Sequence, residues 1–128
     1  MAFRFSEAID PEEVRKAFAE HGFAHISGVL PPENAKRIHK GLLEQTPWNL
    51  VFNQDSKHFD MSEEQLRTLQ KQDLSRLQKA IFAQAEQGFQ YSYHNYPIHD
   101  AVRDGKNDGH LLHTFYEWLN SDEFLQFA

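Results

Sequence analysis

Helix-start signals recur along this chain, and they constrain its fold more than any other feature of the sequence. At the first of them Asp10 is placed to cap a helix, Pro11 takes the first helical position, and Glu13 completes a capping box. Gly22 then predicts the end of that helix, because glycine readily adopts the backbone conformation that terminates one. The buried stripe of this helix is expected to consist of Val14, Ala17 and Phe18.

The same kinds of signal predict the later helices. Residues 31–33, Pro-Pro-Glu, start a second helix. Ser62 and Gln65 form a capping box before a long helical region that Gly88 should end. The apolar period slips near Lys71-Gln72-Asp73, so we expect a kink or two helices in that region, with Asp73 capping the second. The apolar positions expected on these helices, and on one more after Gly109, are Ala35, Ile38, Leu42, Leu43, Leu66, Leu69, Leu74, Leu77, Ile81, Phe82, Ala85, Leu111, Leu112, Phe115, Trp118 and Leu119.

A few strands are predicted between the helices. Residues 23–30 form an apolar run typical of a strand, and apolar and polar residues alternate over residues 48–53 and 89–94. His58-Phe59-Asp60 is a candidate for a further short strand, whereas the polar stretch 97–109 predicts a loop. No repeat or linker divides the chain, so the pattern indicates a single α+β domain, or an incomplete one, in which helices outweigh strands.

Composition excludes several function classes. The net charge of −6 argues against binding to nucleic acid through phosphate contacts and against docking on an anionic membrane. No apolar run approaches the ~18–20 residues that a membrane-spanning helix needs, and the first residues lack the apolar core of a signal peptide. The chain has no cysteine and therefore no thiol nucleophile or zinc-thiolate site. A cytoplasmic location is the simplest expectation.

Four residues are weak candidates for metal ligands. His58 and Asp60 would share one face of a strand, and with a distant histidine, His110 or His113, they could form the two-histidine, one-carboxylate face that holds Fe(II). The alternative is that all four are ordinary surface or partly buried residues, which is the commoner case. No Arg or Lys follows His110, so the cation that would pair with a 2-oxoglutarate carboxylate is missing from the expected place.

Other polar groupings have equally plain alternatives. His94 and His99 could share a metal, although ordinary surface histidines explain them as well. Gln90, Ser92 and His94 would lie on one face of a strand, where they could line a pocket or face solvent. On the residues alone, no convincing catalytic constellation emerges.

Three segments resemble conserved blocks of a known family. They are Gly22-Phe23-Ala24-His25-Ile26-Ser27-Gly28-Val29-Leu30-Pro31 with the following helix and Trp48, then Gly88-Phe89-Gln90-Tyr91-Ser92-Tyr93-His94-Asn95-Tyr96-Pro97, and last Trp118-Leu119-Asn120-Ser121-Asp122-Glu123-Phe124-Leu125. This order resembles the first part of the Fe(II)/2-oxoglutarate-dependent oxygenases of the prolyl-4-hydroxylase-like group. The resemblance spans most of the chain, from about His21 onward, and its motifs are structural, not catalytic.

The resemblance implies that residues 1–128 and the catalytic barrel have different roles. In that family the double-stranded β-helix, a jelly-roll barrel that carries the iron ligands and the co-substrate arginine, follows these segments. Residues 1–128 would then be the N-terminal region that buttresses the barrel, and Fe(II) and 2-oxoglutarate would belong to the full-length protein. No functional residue of the family has a matching position here, and His58-Phe59-Asp60 would lie outside the barrel.

The last residues of the sequence raise a related expectation. Asn120 can cap a helix with Glu123 three residues on, and the apolar residues after it are Phe124, Leu125 and Phe127. We expect a core helix that is cut short, with an exposed apolar face that favours self-association or contact with a partner. Two alternatives stay open. One is a small, complete binding or interaction module, and the other is a minimal iron enzyme built on His58, Asp60 and His110 or His113.

Overall fold

The computed structural model describes residues 2–128, and the contacts of the backbone divide them into two compact units. The central unit comprises Thr46–Pro97, and the terminal unit comprises the residues up to Gln45 together with Ile98–Ala128.

Helices dominate both units, and the predicted α+β class is confirmed. The helices are α1 (Pro11–His21), α2 (Pro32–Lys40), α3 (Glu63–Arg67), α4 (Lys71–Gln87), α5 (Ile98–Arg103), α6 (Leu111–Leu119) and α7 (Asp122–Phe127), with a π-helical turn (Gly41–Gln45) directly after α2. The strands are β1 (Asn49–Gln54), β2 (Lys57–Met61) and β3 (Ser92–Asn95). None of the helices in the described part of the chain is both long enough and apolar enough to cross a membrane.

The central unit is built on a three-stranded antiparallel sheet of order β2-β1-β3. A two-residue turn joins β1 to β2, with Asp55 at φ 50° and Ser56 at φ 63°, and Gln54 is paired with Lys57 across it. Two successive positive φ angles are typical of the hairpin turn whose twist matches that of the strands. The sheet is not closed: β1 is its centre and carries the buried Val51 (1% exposed), while β2 and β3 are its edges.

Helices α3 and α4 both contact β1. The predicted capping box at α3 is confirmed, since Ser62 and Gln65 bond each other's backbone N–H groups. The predicted break before α4 is confirmed as well, but its capping residue differs. Gln70 is the N-cap of α4, and Asp73 lies three residues on, where its carboxylate accepts a hydrogen bond from the Gln70 N–H. Asp73 itself is therefore inside the helix.

β3 is shorter than the alternating pattern predicts. The pattern begins at Phe89, but the strand begins at Ser92, and Phe89 is 80% exposed. The reason is Gln90, whose side-chain amide bonds both backbone groups of Asn53 and so occupies the place of a strand neighbour. The same amide also bonds the Ile81 carbonyl of α4 and the Tyr91 N–H.

The terminal unit has an aromatic core. Phe3 contacts Phe115 with ring centroids 5.2 Å apart, and Trp118 and Leu112 of α6 are both buried beside it in the same unit. Arg37 places its guanidinium over the ring of Phe3 at 5.0 Å. α6 thus presents the apolar stripe that the sequence predicts.

Gly41 fixes the close approach of the π-helical turn to α6. A Cβ at this position would lie 2.9 Å from Cδ2 of Leu111, which is closer than carbon atoms tolerate. A side chain larger than hydrogen would therefore force Leu111 to move. The constraint is one of packing against the end of the Leu111 side chain, since the backbone of Gly41 has ordinary right-handed helical angles.

Two other predictions in the terminal unit are wrong. Residues 23–30 form no strand: the backbone turns at Gly28 (φ 63°), and the Val29 carbonyl accepts a hydrogen bond from the Ser6 N–H outside any sheet. The stretch 97–109 is not all loop, since its first part forms α5. The strand prediction failed because an apolar run has no sheet to join here.

Around α1 the predicted Asp10 N-cap and Gly22 C-cap are confirmed, but the predicted buried stripe is not. Asp10 caps the helix by accepting hydrogen bonds from the Glu12 and Glu13 N–H groups, and Gly22 ends it in the left-handed conformation. Phe18, which was expected in the stripe, is 59% exposed. Capping depends on neighbours in sequence, whereas burial depends on what packs against the helix.

The last helix is covered more than expected. Its N-cap is Ser121, and Asn120 instead ends α6. Phe124 and Phe127 pack on Phe5, with ring centroids 5.5 and 4.6 Å from it, so the N-terminal segment lies against two of the three residues expected to be exposed. Only Leu125 of that set is largely exposed, at 59%.

Candidate functional site

Both ring nitrogens of His110 are engaged in hydrogen bonds. His110 is the N-cap of α6, where its Nδ1 accepts a hydrogen bond from the Leu112 N–H at 3.1 Å. Its Nε2 lies 2.9 Å from the Gln45 carbonyl oxygen and must donate, because a carbonyl can only accept. The ring is thus a neutral imidazole with its proton on Nε2, and this arrangement leaves no lone pair for a metal ion.

The other candidate ligands are scattered. His58 and Asp60 are exposed on β2, where alternation puts them on one face, and Nδ1 of His58 is 2.9 Å from the Tyr91 hydroxyl. His113 is buried in α6, where its ring lies 6.0 Å from that of His110. Among residues 2–128, no three His, Asp or Glu side chains come close enough together to hold a metal ion. These residues therefore do not fit an Fe(II) site.

His94 belongs to the central unit, whereas His99 is in the terminal unit and places its Nδ1 2.7 Å from the Tyr116 hydroxyl. His99 thus has a hydrogen-bond partner within its own unit.

The central unit has a groove between the sheet and α4. It encloses about 500 Å³. We call it the α4–β3 groove, and its lining residues are Leu50, Leu74, Leu77, Gln78, Ile81, Phe82, Ser92 and His94. Ser92 and His94 thus line a pocket, which is one of the two alternatives that the sequence leaves open. Gln90 does not, because its amide is used by Asn53.

The groove is apolar along α4 and polar along β3. Leu74 and Phe82 are 42% and 63% exposed, which is high for apolar side chains that line a cleft. Ser92 and His94 are the polar groups opposite them, and both are exposed. An apolar cleft with a few polar groups on one wall is the usual form of a binding site.

Adjoining hollows extend the groove past His94. One is lined by Trp48 and Leu66, and the other by residues that include Glu63 and Arg67, with His94 common to both. Arg67 is paired with Glu63, so this end of the groove gains no net charge from that pair. His94 therefore lines the groove and both hollows, and most of the other residues that line them are apolar.

The register of the sheet identifies which backbone groups of β3 face outward. Gln54 and Lys57 flank the hairpin turn as a hydrogen-bonded pair, so alternate residues of β1 bond β2 and the others point toward β3. The bonds of Asn53 to Gln90 agree with this assignment. In β3, Tyr93 and Asn95 consequently bond β1, whereas the N–H and C=O groups of Ser92 and His94 point to the open edge.

Positive charge lies at one end of the groove. Lys71, in the first turn of α4, makes no ion pair within the described residues and lies a helical turn from Leu74. Asp73 in the same turn is already engaged, since it bonds the Gln70 N–H and lies 4.0 Å from Arg76. Lys71 is thus available to an anionic group that approaches the His94 end.

The sequence predicts the β3 side of this groove but not the exposure of the α4 side. The alternation along residues 89–94 placed Ser92 and His94 on a common face. The apolar residues of α4 were read as core, because periodicity shows which residues share a face but not whether that face is covered. The signal available was the surplus of apolar positions on α4 over those needed to cover a short sheet.

Comparison with protein-family models, with curated proteins and with solved structures found no match to this chain.

Proposed function

We propose that this chain is the N-terminal region of an Fe(II)/2-oxoglutarate-dependent oxygenase of the prolyl-4-hydroxylase-like group. By itself the chain would have no hydroxylase activity, because its residues do not fit an iron site. Its role would be to buttress a jelly-roll barrel, which in that class carries the Fe(II) and 2-oxoglutarate that supply the oxidising chemistry. We also propose a cytoplasmic location, since 2-oxoglutarate is a metabolite of the cell interior.

One observation carries this proposal. β1 begins directly after Trp48, the last residue of the first segment that resembles the family, and β3 lies within the second, residues 88–97. In these neighbouring strands Leu50 pairs with His94 and Val51 with Tyr93. The segments are far apart in sequence, and α3 and α4 lie between them and contact β1. Helices packed on an antiparallel sheet are what a buttressing layer requires.

The test compares two samples in the same assay of 2-oxoglutarate decarboxylation. The first is the purified 128-residue chain with Fe(II), ascorbate and oxygen, which should release no succinate above the level without protein. The second is the endogenous protein, captured from native cells with an antibody against the central unit. It should be longer than 128 residues by mass spectrometry and should release succinate in an Fe(II)-dependent way.

Either of two results overturns the proposal. Capture of an endogenous product that releases no succinate would exclude the oxygenase. Succinate release by the 128-residue chain, abolished in His58→Ala, would instead establish a minimal iron enzyme.

A second candidate function is a binding module that acts without catalysis. The α4–β3 groove favours it, because its exposed Leu74 and Phe82 flank a cleft next to an open strand edge. This function would hold whether or not the chain belongs to an oxygenase.

A further inference from the structure

We propose that the central unit binds an extended peptide segment of a partner protein. The peptide adds to the sheet as a strand beside β3, and its alternate apolar side chains enter the α4–β3 groove. This inference rests on the second proposed function, the binding module, and not on membership of an oxygenase family.

The backbone of β3 indicates that the occupant is an extended chain. Ser92 and His94 direct their N–H and C=O groups to the edge of the sheet, spaced two residues apart. A second strand is the occupant whose own N–H and C=O groups repeat at the same spacing, so it satisfies all of these groups together. A small apolar molecule in the groove would leave them unused.

The groove supplies the side-chain recognition. An added strand lies about 4.8 Å beyond β3 and turns every second side chain toward the face that α4 covers. There it meets residues of α4 that line the groove, among them Leu74, Gln78 and Phe82. Burial of the exposed apolar surface of Leu74 and Phe82 gives the favourable free energy of binding.

Charge gives the peptide a preferred composition. Lys71 is in the first turn of α4, one helical turn before Leu74, which lines both the groove and a hollow that it shares with His94. β3 itself carries no Asp, Glu, Lys or Arg. An acidic side chain or a free carboxylate at the matching end of the peptide would pair with Lys71. The partner is therefore a segment of alternating apolar residues with an acidic end.

The probe for the test is a phage-displayed library of random eight-residue peptides, selected on the full 128-residue chain. Phe82→Ser serves as the counter-selection variant, since Phe82 is 63% exposed and its replacement should not disturb folding. Phe89→Ser is the matched control, because Phe89 is 80% exposed in the same unit but is not among the groove residues. Enriched peptides should carry apolar residues at alternate positions and an acidic residue near one end.

The strand geometry is tested on the most enriched peptide with N-methylated backbone amides. Methylation of the alternate amides that face β3 should weaken binding roughly tenfold or more, whereas methylation of the other set should have little effect. Lys71→Glu should weaken binding of the same peptide, while Lys79→Glu, a charge change elsewhere on α4, should not. Bound peptide should also slow hydrogen exchange at the Ser92 and His94 amides.

Several outcomes would overturn the proposal. Peptides enriched equally on the wild-type chain and on Phe82→Ser would show that the groove is not the site. Equal effects of the two methylation patterns would exclude strand addition. A concentration-dependent dimer that Phe82→Ser dissociates would show that the occupant is a second copy of the chain. None of these results depends on succinate release, so failure here and failure of the oxygenase proposal are distinguishable.

Discussion

The side-chain amide of Gln90 takes the place of a backbone peptide group next to Asn53. Its Oε1 accepts a hydrogen bond from the Asn53 N–H at 3.0 Å, and its Nε2 donates to the Asn53 carbonyl at 2.7 Å. Nε2 also lies 3.2 Å from the Ile81 carbonyl, so the same side chain ties β1 to α4. The amide thus extends the pairing of β1 beyond Ser92, the first residue of β3.

Gln90→Ala should lower the free energy of unfolding by roughly 1–3 kcal/mol, because it leaves partly buried backbone groups of Asn53 without a partner. Urea denaturation followed by circular dichroism measures the change. Gln87→Ala is the matched control, since Gln87 is exposed at the end of α4, and it should change stability by less than ~0.5 kcal/mol. Equal stability of the two variants would contradict the role assigned to Gln90.

Replacements of His110 should separate its two hydrogen bonds. His110→Ala loses the cap of α6 and the bond to the Gln45 carbonyl, and the expected loss is roughly 1–3 kcal/mol. His110→Asn retains a good capping side chain but is too short to reach Gln45, so it should lose about half as much. Thermal unfolding of the three proteins measures the difference. Two variants of identical stability would show that the cap contributes nothing.

Phe5→Ala should destabilise the terminal unit, because Phe5 joins the N-terminal segment to α6 and α7. Its ring centroid lies 5.1 Å from that of Trp118 and 4.6 Å from that of Phe127. The residue is only half-buried, so we expect a loss of about 2–3 kcal/mol, below the ~3–5 kcal/mol for a fully buried phenylalanine. Phe23→Ala, at a ring that is 69% exposed, is the control and should stay within ~0.5 kcal/mol of the wild type.

The fluorescence of Trp118 gives a second readout for Phe5→Ala. Loss of the neighbouring ring should expose the indole and shift its emission to longer wavelength, whereas Phe23→Ala should leave the spectrum unchanged. An unshifted spectrum in Phe5→Ala would contradict the contact.

Asp104 is the carboxyl group whose ionisation is most altered by its surroundings. A hydrogen bond from Arg103 is the main reason why the pKa of Asp104 is lowered, and the positive charge of the same guanidinium adds to it. A lowered pKa in the folded state stabilises the protein above the ordinary pKa of the group, and the effect disappears as pH falls through the folded value. An NMR titration should place the Asp104 midpoint below 3.8, its ordinary value. Arg103→Gln should return it toward that value, and a midpoint unaffected by the replacement would contradict the assignment.

Helix ends were the most predictable feature of this fold. Asp10, Gly22 and Ser62 act as their neighbours in sequence indicate, because a cap bonds groups only two or three residues away. The errors were shifts within one turn, such as Ser121 in place of Asn120, and they arise because adjacent polar residues offer the same chemistry.

Strands and burial were less predictable, because both depend on residues distant in sequence. The run at residues 23–30 has the composition of a strand but no partner, and β3 is shortened by a side chain that no alternating pattern reveals. The α4–β3 groove was missed for a similar reason. Periodicity identified the apolar face of α4, but only the structure shows how much of that face the sheet leaves uncovered.

The two neighbours of β1 should join it at different times during folding. β2 is connected through the turn at Asp55 and Ser56, so this hairpin can form within ~1–10 μs of collapse. β3 arrives only after roughly 40 intervening residues have been ordered, and it bears the entropy of closing that long loop. Gln90 would then close late, after the transition state, so Gln90→Ala is expected to speed unfolding and to leave the refolding rate nearly unchanged. A stopped-flow chevron with a slowed refolding arm would instead place this contact in the folding nucleus.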